Sequence, residues 1–142
     1  MPAGERPAEA ARSLAEVVRI TAARAGDTPA LVHRDRRLSW AEVDTLLDRA
    51  AAGYAARGLA PGDRVAVQLP NGLDWVAAVL GALRAGLVVV PVNTAYTDPE
   101  VEHLLTDSGA RLMVVATDRP ELAGVPVSAG PPTAEDLSLI HI

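Results

Sequence analysis

Apolar positions recur at helical spacing in "SLAEVVRITAARAG" (residues 13–26), where Leu14, Val17, Val18 and Thr21 share a face. Ser13 and Glu16 have capping-box spacing, and Gly26 suits the end of a helix. "PALVHRDRRLSW" changes period and reads as two short strands around a turn at Asp35 and Arg36. A second capping box, Ser39 with Glu42, opens a helix whose stripe runs through Val43, Leu46, Leu47, Ala50 and Tyr54 to Gly58. "RVAVQL" (64–69) is then a strand, "LDWVAAVLGALRAG" (73–86) a largely buried helix, and "LVVVPV" (87–92) a further strand. Thr97, Pro99 and Glu100 open a helix that carries Val101, Leu104 and Leu105 inward and ends at Gly109, before the strand "RLMVVA" (111–116).

Strands alternating with helices at this spacing call for crossover connections and parallel pairing. Nearly continuous apolar strands mean a sheet covered on both faces. The expected fold class is α/β, an incomplete parallel sheet, mixed at its edge, covered by helices. Residues 1–12 are expected to be a flexible segment and 13–117 a partial α/β domain. Beyond 117 periodicity fades. "VPVSAGPPTAEDL" has linker composition, so 118–142 is expected to be a weakly structured linker with a non-native tail. The final "SLIHI" resembles the translated start of a common sequencing adapter.

Composition narrows the chemistry. The 142 residues are 49% hydrophobic and 22% charged, within the globular range. A net charge of −5 gives no reason to expect a nucleic-acid partner. The absence of cysteine excludes disulfides, zinc ribbons and thiol catalysis. All 13 basic residues are arginine, so no lysine serves as a Walker or Schiff-base group. No apolar run approaches the ~18 residues of a membrane span. The N-terminus lacks the basic-then-apolar order of a secretory signal, which makes cytoplasmic the default location.

Local motifs are explained mostly by structure. "GALRAG" (81–86) has phosphate-loop spacing, but it precedes a strand and so reads as a helix end. His33, His103 and His141 show no metal-ligand spacing. Glu100, His103 and Asp107 lie along one helical edge and read as a solvated face. Ser39 and Ser108 belong to helix ends, and Trp40 and Trp75 are expected to anchor helices to the sheet. In "VVVPVNTAYT" (88–97), Val88 to Val90 are expected to be buried in the sheet. Asn93 to Thr97 lie where α/β ligands usually bind, yet turn and cap chemistry accounts for them.

Three pieces then combine: "LSWAEV" (38–43), "LRAGLVVVPVN" (83–93) and "YTDPEVEHLLTDSGA" (96–110). Together, over Asp27 to Ala116, the chain resembles the N-terminal part of adenylate-forming enzymes, the acyl-CoA synthetase branch in particular. The resemblance implies an ATP- and Mg²⁺-dependent ligase that converts a carboxylic acid to acyl-AMP and then to acyl-CoA. In such enzymes a "TSGTTG"-like phosphate loop and a mobile lysine carry the chemistry. Neither occurs in this sequence. No catalytic, cofactor-binding or metal residue is therefore assigned. ATP, Mg²⁺ and CoA are expected of the longer parent and not of this fragment. The alternative is a stand-alone binding or interaction module. As a fragment, the chain is expected to hold residues from Val125 onward loosely and to self-associate through uncovered strands.

Overall fold

The computed structural model describes residues 13–133. His141 and the "SLIHI" tail lie outside them. Helix α1 spans Leu14–Ala25, and β1 (Pro29–His33) and β2 (Arg36–Ser39) form an antiparallel hairpin. Then follow α2 (Trp40–Ala56), β3 (Arg64–Gln68), α3 (Leu73–Arg84), β4 (Val88–Pro91), α4 (Asp98–Ser108), β5 (Leu112–Val115) and β6 (Val127–Ala129).

The main sheet has the order β4-β3-β5-β6 and is parallel throughout. The antiparallel pair does not extend its edge but stands apart as a second sheet. Alternation within the strands divides the core. Val65, Val67, Leu112 and Val114 meet Tyr54 of α2 and Ala78 and Ala82 of α3 on one face. Ala66, Met113 and Val115 meet Val101 and Leu105 of α4 on the other. A further cluster joins α1 and the hairpin to α2 through Ala15, Val18, Leu38, Val43 and Leu47. The Tyr54 side chain is fully enclosed, and its hydroxyl donates to the Ala78 carbonyl at 2.8 Å. Burial pushes its ionisation well above the ordinary tyrosine value.

Two contacts fix the helical layer. Gly81 of α3 lies flush against α2, and a Cβ there would stand 2.5 Å from the Ala50 Cβ. Arg84, the last residue of α3, reaches both other helices of this layer. Its Nη1 donates to the Asp44 carbonyl at 2.9 Å and its Nη2 to the Ala15 carbonyl at 2.7 Å. The same guanidinium pairs with Asp44 Oδ1 at 2.8 Å and Asp48 Oδ1 at 3.2 Å.

Several expectations are corrected. In β4, Val88 is 50% exposed and Val89 and Val90 are only partly covered, because β4 is an edge strand paired with β3 alone. In α1 the buried residues are Ala15 and Val18, whereas Leu14 and Val17 are 65% and 45% exposed. Trp40 packs in the α1–hairpin cluster and not on the main sheet, and Trp75 is 37% exposed. Beyond residue 117, where little structure was expected, Leu122 and Val125 enter the core and β6 pairs with β5. Residues from Val125 to Pro132 are therefore held by packing and a ladder.

Candidate functional site

The carboxyl ends of β3, β4 and β5 open on one edge of the sheet. The connection from β3 leads to its neighbour on one side, while β5 joins it on the other, so a crevice lies between the β3 and β5 ends. Two hollows occupy this edge. One, of about 310 Å³, is bounded by Gln68, Pro70, Thr94, Val115, Thr117 and Arg119. The other, of about 330 Å³, lies between the hairpin turn, with His33, Arg34 and Arg36, and the Asn71–Asp74 entry to α3.

The Asn93–Thr97 loop forms one wall. Gln68 Nε2 donates to the Asn93 carbonyl at 3.1 Å, tying the loop to the end of β3. The Asn93 side chain accepts from the Ala95 N–H at 2.8 Å, making a local turn. Thr97 caps α4, and the Glu100 carboxylate accepts from the Thr97 N–H at 3.2 Å to close a capping box. Asn93 and Thr97 thus have the structural roles expected of them. Thr94 and Tyr96 project from the same loop. Tyr96, 43% exposed, borders a shallow hollow of about 530 Å³ with Pro99, Glu100 and His103. Along α4, Glu100, His103 and Asp107 are all exposed, as a solvated face requires.

The opposite wall was not foreseen. Arg119, in the loop after β5, makes a two-pronged pair with Asp98 at 3.0 and 3.1 Å. The Arg119 guanidinium holds the Asp98 carboxyl below its usual value. This clamp joins the β5–β6 loop to the start of α4. Its two residues are far apart in sequence, and only the general tendency of α/β sites to gather at carboxyl ends pointed there. The hairpin's His33, Arg34 and Arg36 reach the crevice rim for the same reason.

These residues do not assemble a site for the nucleotide triphosphate and Mg²⁺ that the resemblance implies. Arg119 has its fork closed on Asp98, and among the described residues no three His, Asp or Glu side chains converge on a metal position. No chemical step is assigned to them. What the edge does provide is a braced loop. Thr97→Ala is expected to cost about 0.5–2 kcal/mol, the usual range for a lost N-cap. In a longer active enzyme the same change should leave the KM for the acid nearly unchanged. A large KM effect at undiminished stability, measured by steady-state kinetics beside denaturation, would place the loop on substrate instead.

A family model described as "AMP-binding enzyme" matches residues 18–139. The long-chain-fatty-acid–CoA ligase of Salmonella typhimurium is 39% identical over 109 residues, 75% of this chain and 19% of that protein. The long-chain-fatty-acid–CoA ligase FadD13 of Mycobacterium tuberculosis is 36% identical over 99 residues, 69% of this chain and 20% of its own length. The chain thus spans only about a fifth of these relatives. Among solved structures, the N-terminal domain of FACL13 from Mycobacterium tuberculosis superposes with a TM-score of 0.74 at 28% identity, covering 82% of this chain and 33% of that one.

Proposed function

Since the chain belongs to the AMP-binding enzyme family, we propose that it is the N-terminal part of an ATP-dependent carboxylate–CoA ligase, catalytically incomplete by itself. The full reaction would activate a carboxylic acid as acyl-AMP with ATP and Mg²⁺ and then transfer the acyl group to CoA. The 39% identity to a long-chain-fatty-acid–CoA ligase across three quarters of the chain carries this reading. The sequence chemistry supports the incompleteness: no lysine is available to steady an acyl phosphate, and no glycine- and threonine-rich loop to cradle a triphosphate. A cytoplasmic location fits this reading. Among the described residues, no helix is long and apolar enough to cross a membrane.

The purified chain, given ATP, Mg²⁺, CoA and a panel of carboxylic acids, is expected neither to exchange pyrophosphate into ATP nor to form acyl-CoA. The same sequence continued by the downstream part of its gene is expected to do both. Turnover by the contaminant-free short chain would overturn the incompleteness. An inactive long chain would overturn the ligase reading.

A second reading, a stand-alone binding module, is favoured by one observation. The described chain does not fray after β5 but closes with β6 and two buried prolines, Pro131 and Pro132. Such a module would be a monomer that unfolds cooperatively without downstream sequence.

A further inference from the structure

After β6 the chain turns off the sheet at Gly130, whose φ of +79° is the left-handed region that favours glycine. The Ser128 hydroxyl is buried and donates to the Gly130 carbonyl at 2.8 Å, tightening this turn. The Gly130 N–H donates to the Val115 carbonyl at 2.7 Å, so the turn ends the β5–β6 ladder. Pro131 and Pro132 then run, buried, onto α2. There they meet Gly53. A Cβ at position 53 would overlap the Pro132 carbonyl and stand 2.5 Å from the Thr133 Cα. These are backbone atoms, which cannot swing aside as a flexible side chain would.

Glycine inside a helix is poorer than alanine for helix formation, so Gly53 stabilises nothing within α2 itself. Its benefit lies in the close approach of the strap. Upstream, β6 is held by Leu122 and Val125 in the core. Downstream it is held by the strap. β6 is three residues long and is the outer neighbour of β5, whose other side is taken by β3. An unseated β6 would leave the β5 edge bare, with backbone groups ready to pair with another chain.

We propose that Gly130–Thr133, seated in the Gly53 notch, is a latch that keeps β6 on β5 and so guards that edge against pairing with a second copy of the chain. The latch acts on a different element from the crevice loop, and it does not depend on the ligase reading.

The test is amide hydrogen exchange on the whole chain, read with size-exclusion chromatography over a range of concentrations. In Gly53→Ala, peptides covering Val127–Thr133 should exchange at least about tenfold faster, while α3 and β3 keep their protection and larger species appear as concentration rises. Helix propensity alone predicts the opposite for α2, a gain in protection. Gly130→Val acts from the strap side without touching α2, and should give the same local release even where Gly53→Ala fails to fold. The double variant should add little to either single one. Unchanged exchange at Val127–Thr133 would overturn the latch, as would a loss spread evenly over the sheet. Local release in a chain that stays monomeric would overturn the guarding role.

Discussion

Arg84→Ala is expected to lower the free energy of unfolding by about 3 kcal/mol, the lower end of the range for breaking a buried charge pair. The side chain is only 10% exposed and serves acceptors on two other helices. Truncation leaves Asp44, among the described residues, with one distant partner, Arg19 at 3.8 Å, and strips a side-chain donor from the Asp44 and Ala15 carbonyls. Asp48 loses less, because it is half exposed and keeps Arg19 at 2.7 Å. Arg84→Lys should recover only part of the loss, since an ammonium cannot reproduce the planar fork. Urea denaturation would measure both changes. A loss under about 1 kcal/mol for the alanine variant would mean that solvent screens the network as it does a surface pair.

Gly81→Val should come close behind, at about 2–3 kcal/mol, from overpacking where α2 and α3 touch. The neighbour is the Ala50 Cβ, a group with no freedom to rotate away, so the helices themselves must part. Valine is a better helix former than glycine, which offsets a few tenths of a kcal/mol at most. Ala50→Gly in the same chain should restore part of the stability, and a double-mutant cycle would report the coupling. Strictly additive effects would show that the two positions do not press on each other.

What the sequence disclosed and what it withheld divide along one physical line. Helix starts at Ser39 and Thr97 were legible because a capping box is completed within four residues. The strands "RVAVQ" and "LMVV" were legible because burial on both faces leaves an unbroken apolar run. Val88 looked equally buried, since an edge strand and a central strand can share the same apolar letters. Its exposure depends on strand order, which no local pattern carries. β6, with only Val127, Ser128 and Ala129, is too short to display a period. Along α1, alanine at position 15 gave a weaker signal than Leu14, yet its small side chain is the one enclosed in the core. At the candidate site, the turn at Asn93 and the cap at Thr97 were readable. The Arg119–Asp98 clamp and the hairpin rim at His33 and Arg34 were not, because they depend on tertiary packing that no local pattern carries.

The strand order β4-β3-β5-β6 has a consequence for how the molecule is made. As the chain leaves the ribosome, β3 appears first in this sheet, and β4 then lies against one side of it. β5 takes the opposite side of β3, and β6 joins β5 on the outside. At each step the newcomer meets a free side of a strand already delivered, and no completed pair has to be pried open to admit it. Synthesis from the N-terminus can therefore be matched by folding in the same order, without a wait for distant sequence.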